Sequence, residues 1–369
     1  MQVNIPELSL VVLVGVSGSG KSTFARRHFK PTEIISSDFC RGVVADDEND
    51  QTVSKEAFEL VHFIAGKRLA GGRLAVVDAT NVQPESRKPL LAIAREYHSL
   101  PVAIVFNIAQ RICHERNRAR PDRDFGPHVI HTQSQQLRRS LRMLEREGFR
   151  NIYVFHSPEE VEAALVERQP LWNNRRHEHG PFDIIGDVHG CCDELELLLE
   201  KLGYTQIDSP AQFSLSGPNY RHTDGRKAIF LGDLVDRGPR ILETLALARN
   251  MVDAGSAICV PGNHDMKLLR KLSGRNVRIT HGLDRTLAEI DQLPEGSKAA
   301  QVQEITDFIK SLISHFVLDS GKLVVAHAGM KQEMQGRGSG KVRDFALYGE
   351  TTGETDEFGL PVRYNWAAE

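Results

Sequence analysis

The sequence predicts an α/β protein built from two successive α/β domains, the first centred on a parallel sheet. Three observations predict it. Short apolar runs alternate with helical patterns in both halves of the chain, the mark of strand–helix–strand units. A glycine-rich turn, "GVSGSGKST" (15–23), closes the first long apolar run. Three turns bearing aspartate and histidine, "GDVHG" (186–190), "GDLVDRG" (232–238) and "GNHD" (262–265), close later ones. Binding groups in open α/β sheets gather at the carboxyl ends of strands, and all four turns stand there.

The first-half strands read as "LSLVVLVG" (8–15), "EIISSD" (33–38), "LAVVDAT" (74–80), "VAIVFNI" (102–108) and "NIYVF" (151–155), with "EEVEAALVE" (159–167) as a closing helix. A polar, non-periodic stretch, "RQPLWNNRRHEHGPF", then marks a linker. The expected organisation is a first domain over 1–167, a linker over 168–181 and a second domain over 182–369. The second domain has strands at "FDIIGD" (182–187), "KAIFLGD" (227–233), "SAICVPGN" (256–263) and "KLVVAHAG" (322–329). Helical patterns lie at 193–202 and 241–252, and 205–226 reads as a turn-rich insertion.

Each half of the 369 residues is long enough to bury a core. With a net charge of −3, no global basic field advertises nucleic acid, although a local patch is compatible with it. The five cysteines form no CxxC pair, so a disulfide framework or structural zinc is not expected. The run "LSLVVLVGV" is too short to span a bilayer. The expectation is a cytoplasmic protein with no membrane association.

"GVSGSGKS" fits the phosphate-loop pattern. Gly15, Ser17, Gly18, Ser19 and Gly20 let backbone N–H groups curl around an anion. Lys21 brings a point charge to the β and γ phosphates, the Ser22 hydroxyl suits Mg²⁺, and Thr23 begins a helix. The expected cofactor is ATP or another nucleoside triphosphate with Mg²⁺. Asp38, at the end of the next strand, is placed to accept the proton of an attacking hydroxyl, with Arg41 to grip the acceptor's phosphate; the alternative is that Asp38 caps the helix that follows. Arg111, Arg116, Arg118, Arg120 and Arg123 crowd thirteen positions. They read either as a lid over the triphosphate or as an exposed basic helix. Asp78 and Thr80 stand at another strand end, where a magnesium-assisting and a structural role are equally open.

In the second half, Asp187, His189, Asp233, Asn263 and His327 offer the oxygen and imidazole donors that suit a pair of Mn²⁺, Fe or Zn²⁺ ions, with Asp233 as the bridge. Arg237 would hold phosphate oxygens. His264, oriented by Asp236, would protonate the leaving oxygen.

Taken together, "GVSGSGKSTF", "SSDFCR" and "RNRARPDR", then "GDVHGCCDEL", "GDLVDRGP", "PGNHD", "HAGM" and "YGETTGETDEFGLPVRYNW", resemble the bacterial polynucleotide kinase-phosphatases. The first half is similar to their polynucleotide 5′-kinase module, the second to their binuclear metallophosphatase module, an α/β sandwich of the calcineurin-like superfamily. The resemblance implies RNA end healing: 5′-hydroxyl ends gain phosphate, and 2′,3′-cyclic, 2′- or 3′-phosphate ends lose it. It implies Arg116, Arg120 and Arg123 as the lid, two metals (Mn²⁺ expected), RNA or DNA ends as partners, a ligase acting afterwards and a homodimer as one assembly. The family continues into a ligase module and a "GHTP"-type block; neither motif occurs here, so the second domain is expected to be incomplete at its C-terminus. Two other readings stay open: a small-molecule kinase fused to a protein or dinucleotide phosphatase, and a nucleotide-gated binding protein with an inactive phosphatase.

Overall fold

The computed structural model describes residues 1–119, 126–209, 213–355, 357 and 361–364. The chain divides into two compact units. One comprises Met1–Leu171 with Arg337–Ser339, and the other Trp172–Gly336 with Gly340–Glu369.

The first unit begins with β1 (Gln2–Pro6) and β2 (Ser9–Gly15), followed by α1 (Lys21–His28), β3 (Ile34–Ser36), α2 (Ser37–Ala45), α3 (Ser54–Ala70) and β4 (Ala75–Asp78). It continues through α4 (Pro84–Glu96), β5 (Leu100–Phe106), α5 (Gln110–Arg118), α6 (Pro127–Ser140), α7 (Leu144–Glu147), β6 (Asn151–Phe155), α8 (Pro158–Glu162) and β7 (Leu165–Gln169). Five strands form a parallel sheet in the order β3-β4-β2-β5-β6. All seven residues of β2 are buried. A central parallel strand is covered on both faces, which is why it reads as an unbroken apolar run rather than an alternating one.

Two readings of this half are corrected. Residues 159–167 do not form one helix: α8 stops at Glu162, and Leu165–Gln169 is a strand paired in parallel with β1, Val3 opposite Val166. Glutamate-rich local composition favours helix, but a strand 163 residues upstream offers a ladder that local composition cannot register. The strand at 33–38 ends at Ser36, whose Oγ accepts from Phe39 N and caps α2, so Asp38 lies in a helix's first turn and is not the cap.

The second unit begins with β8 (Phe182–Ile185), α9 (Cys192–Lys201), β9 (Tyr204–Ile207), β10 (Asn219–His222), β11 (Lys227–Phe230), α10 (Ile241–Asp253) and β12 (Ala257–Cys259). Next come α11 (Asn263–Leu272), α12 (Leu283–Asp291), α13 (Glu295–Ser311), β13 (His315–Leu318), β14 (Leu323–Ala326), α14 (Gly340–Tyr348), β15 (Thr351–Thr355) and β16 (Pro361–Arg363). Strands β12-β11-β8 are parallel, β13 and β14 antiparallel, and β9 with β10 is a hairpin inside the insertion. Among the described residues no helix is long and apolar enough to cross a membrane.

Candidate functional sites

The first site grows from the turn between β2 and α1. Gly18 and Gly20 take φ of +80° and +100°, where a side chain would strain the backbone. A Cβ on Gly18 would also lie 2.5 Å from Cys113 O. The loop is braced from outside: Ser17 N donates to Gln133 Oε1 (2.9 Å) and Ser17 Oγ to Asn117 Oδ1 (3.2 Å). Helix α1 starts with no side-chain cap and no acidic residue in its first turn. The positive end of its dipole is thus uncompensated, which fits a polyphosphate. Lys21 Nζ donates to Gly15 O (2.8 Å) and Val16 O (2.9 Å), holding its charge against the loop.

A cavity of about 470 Å³ is lined by Gly18, Lys21, Ser22, Asp38, Arg41 and Asp78, among others. Within it Arg41 Nη1 stands 2.6 Å from Asp38 Oδ1. The nucleotide-binding signature and the acid–arginine pair, 16 residues apart in sequence, therefore share one space. A second cavity of about 460 Å³ shares Gly18 and Gly20 and adds Thr23, Arg116, Pro158 and Val161. Arg116 is exposed, with Nη1 3.4 Å from where a Cβ on Gly20 would stand. Arg120 and Arg123 lie outside the described residues.

The second site is built on turns at the ends of β8, β11, β12 and β14. Asp233 Oδ2 is its centre: His327 Nε2 lies 3.6 Å away, His189 Nε2 3.8 Å and His264 Nε2 4.0 Å. Asp187 Oδ2 is 4.0 Å from His189 Nε2, and Asn263 Oδ1 is 2.9 Å from His327 Nε2. Two donors that each stand about 2.1 Å from one ion are at most about 4.2 Å apart, so these spacings fit shared cations. The imidazoles are aimed from behind. His189 Nδ1 is 2.8 Å from Val235 O and His327 Nδ1 2.7 Å from Leu231 O, which turns each Nε2 inward as metal-ligating histidines require. His264 is held differently, its Nδ1 2.6 Å from Asp236 Oδ2. Arg237 is exposed, with Nη2 3.4 Å from His264 Nε2.

His189, Asp233, Asp236, Arg237 and His281 all have positive φ, five of the ten such non-glycine residues among the described ones. Strain of this kind persists only where the surroundings over-determine it, and it clusters at functional sites.

Two residues that the motif reading did not single out hold this geometry. Asp265 is fully buried and accepts from Gly262 N (2.8 Å), Asp233 N (2.9 Å) and Leu234 N (2.9 Å), clamping two site turns together. Burial pushes its carboxyl up to about 6, with the charge of Asp233 adding to the rise against those three donors. Thr286 Oγ1 donates to Asp236 Oδ1 at 2.5 Å. In the first unit Gln133 plays the bracing part. Asp265 had a visible signal as the last letter of "GNHD"; Thr286 and Gln133 had none.

Residues 10–146 match the model of an AAA domain, and residues 180–350 that of the calcineurin-like phosphoesterases. The asymmetrical bis(5′-nucleosyl)-tetraphosphatase PrpE of Geobacillus sp. strain WCH70 is 44% identical over 186 residues, covering 50% of this chain and 72% of that protein. Its Bacillus subtilis strain 168 counterpart is 39% identical over 187 residues, 51% of this chain and 73% of that one. A chain in the structure of the Pnkp1/Rnl/Hen1 RNA repair complex aligns with a TM-score of 0.35 and 16% identity, over 70% of this chain and 81% of its own length.

Proposed function

Since the chain belongs to the calcineurin-like phosphoesterases through its second half and carries a P-loop AAA-type domain before it, we propose that it is an end-healing enzyme with two active sites, phosphorylating 5′-hydroxyl polynucleotide ends and removing phosphate from 2′,3′-cyclic, 2′- or 3′-phosphate ends. The observation that carries the reading is the Asp38–Arg41 pair in the same cavity as Lys21 and Ser22. A 5′-terminal nucleotide offers a hydroxyl and, one ribose away, a phosphodiester. One carboxylate and one guanidinium side by side match those two groups.

In the first site Asp38 takes the proton of the 5′-hydroxyl, whose oxygen attacks the γ-phosphorus while the bond to the β-bridging oxygen breaks. Lys21 and the amides of the glycine turn neutralise the charge that develops on the leaving diphosphate. Arg41 fixes the acceptor through its neighbouring phosphate, and Arg116, which lines the neighbouring cavity beside Gly18 and Gly20, would close over the donor. Bound Mg²⁺, held through Ser22, supplies further charge neutralisation.

In the second site Asp187, His189, Asp233, Asn263 and His327 would hold two divalent metals, Mn²⁺ in our reading. Such ions supply a nucleophilic hydroxide at neutral pH. Arg237 holds the phosphate's oxygens. His264 donates its Nε2 proton to the leaving ribose oxygen, with Asp236 stabilising the imidazolium before transfer. The products, a 5′-phosphate and a 3′-hydroxyl, are what a ligase requires.

The test offers labelled ATP with 5′-hydroxyl RNA and DNA, and separately 3′-phosphate and cyclic-ended RNA with Mn²⁺. Transfer to small metabolites but not to polynucleotides would sink the proposal. A second reading, hydrolysis of dinucleoside polyphosphates, draws on the 44% identity to a tetraphosphatase. Diadenosine tetraphosphate in the same assay separates the two by kcat/KM.

A further inference from the structure

Helix α11, which carries Asn263 and His264 into the second site, runs on into a segment of one-sided charge. From Met266 to Leu283 the sequence holds Lys267, Arg270, Lys271, Arg275, Arg278 and His281 but no aspartate or glutamate. The chain as a whole has 46 Lys+Arg against 49 Asp+Glu, so the run reverses the balance of its surroundings.

Two of these cations have structural work. Lys267 Nζ donates to Thr280 O (2.7 Å) and Thr280 Oγ1 (2.9 Å), and Arg270 Nη2 to Tyr348 OH (2.9 Å). Among the described residues, the side chains of Lys271, Arg275 and Arg278 make no hydrogen bond or ion pair, and the two arginines are exposed. Several other cations of this unit are neutralised: Arg226 by Asp183, Lys227 by Glu178, Arg240 by Asp193, Glu196 and Glu243, and Arg249 by Glu304. Unpaired cations elsewhere among its described residues, such as Lys201, Arg221 and Lys310, stand singly along the chain, whereas here three fall within eight positions.

Its position is defined at both ends. α11 has ten residues and so runs about 15 Å outward from His264. The chain then returns. Lys267 pins it at Thr280, the His281 ring meets the His264 ring edge-on at 6.5 Å, and Gly282 closes against Arg237, where an added Cβ would lie 2.6 Å from Arg237 N. The strip thus starts and finishes at the phosphate-handling pair. A lone phosphate needs only that pair and the metals. Lys271 lies seven residues, about 10 Å, along the helix from His264, and Arg275 and Arg278 follow beyond the helix end; cations at that reach suit several phosphates in a row, roughly three at the 3.4 Å per-strand rise of a stacked strand.

We infer that the strip 267–282 is a docking track for the phosphodiester backbone of a single-stranded polynucleotide whose terminal phosphate lies at Arg237 and His264. The inference rests on the end-healing reading and deepens it. It names the substrate as an oligonucleotide of several residues, in contrast to a mononucleotide or a dinucleoside polyphosphate.

The experiment compares the full chain with the triple variant Lys271→Ala/Arg275→Ala/Arg278→Ala, and with Lys271→Arg/Arg275→Lys/Arg278→Lys as the charge-conserving control. Probes are 5′-phosphorylated, 3′-phosphate-ended oligoribonucleotides of two to ten residues. In fluorescence anisotropy, the slope of log K against log salt for the ten-residue probe should fall by about 2 in the alanine variant, at about 0.7 per lost contact, and stay at the parent value in the control. The kcat/KM advantage of the ten-residue over the two-residue probe should drop about tenfold. An unaltered slope and length dependence, with RNA ends still hydrolysed, overturns the track and leaves the end-healing reading standing. A parent that hydrolyses p-nitrophenyl phosphate but no RNA end of any length brings down both. A variant that weakens diadenosine tetraphosphate binding alone reassigns the strip and also overturns the inference.

Discussion

His264 Nδ1 lies 2.6 Å from Asp236 Oδ2, and Asp236 Oδ1 accepts from Thr286 Oγ1 at 2.5 Å, with all three residues buried. The carboxylate thereby sets the imidazole's tautomer and direction, leaving Nε2 as the working nitrogen.

From this follows the first prediction. Asp236→Asn removes the charge that stabilises the imidazolium and should lower hydrolysis of alkyl phosphoesters about a hundredfold, with KM little changed. p-Nitrophenyl phosphate should suffer much less, because its leaving oxygen needs no proton. Equal losses on both substrates would take His264 out of the acid's role.

Asp38→Asn should keep ATP binding and lose phosphoryl transfer by 10²–10⁴-fold, the usual cost of removing a general base. The geometry favours a clean result: the carboxylate is anchored by Arg41 in the first turn of α2, and Ser36 rather than Asp38 caps that helix. Near-normal transfer by the variant would exclude Asp38 from the mechanism.

The two activities should separate. Lys21→Ala should abolish transfer and leave phosphoester hydrolysis intact; Asp233→Ala should do the converse. The two residues lie in different compact units. Loss of both activities on changing Lys21 alone would contradict a two-site enzyme.

What was legible in the sequence was whatever chemistry is written in consecutive residues. The phosphate loop is nine letters long, and each metal block is four to seven. What stayed hidden was set by partners far away along the chain. Gln133 braces Ser17 across 116 positions, and Thr286 reaches Asp236 across 50; neither residue type announces such work. β7 was hidden because its partner β1 is five residues at the opposite end of the unit. Helix α12 escaped because Thr286 occupies the middle of the buried stripe between Leu283 and Ile290, and α13 because a polar Gln301 takes one of its few buried positions.

His315 makes the second unit acid-sensitive. It is buried, and its Nε2 accepts from Asn173 Nδ2 (2.9 Å) and Gly336 N (3.1 Å), so the ring must be neutral in the fold. Burial lowers its pKa from 6.5 to about 4. Between those values the unfolded chain binds a proton that the folded chain refuses. Stability is therefore full above pH 6.5 and declines as the pH falls toward 4, by about 3 kcal/mol in all. Urea unfolding of the second unit should show its midpoint dropping from pH 7 to pH 5, and His315→Gln should flatten that drop. Parallel pH profiles would assign the acid sensitivity elsewhere.

Gly262 gives the sharpest steric test of the metal site. Its φ of −96° and ψ of 175° suit any residue, so the backbone does not demand glycine there. Space does: a Cβ would stand 2.1 Å from Asp233 Oδ1 and 2.3 Å from Asp233 N. Gly262→Ala must therefore push the central carboxylate aside and break its 2.9 Å bond from His264 N. Moving a ligand in the coordination sphere should weaken metal binding by more than the 10–100-fold typical of a supporting contact. Gly255→Ala is the matched control. Gly255 has φ +71° and nothing within 4 Å of an added Cβ, so the change costs about 1–2 kcal/mol of backbone preference without touching the site. The measurement is Mn²⁺ bound per chain at equilibrium for both variants, with 5′-kinase activity recorded to show that the first unit is intact. Normal Mn²⁺ occupancy in Gly262→Ala would mean that Asp233 is not where the two ions meet.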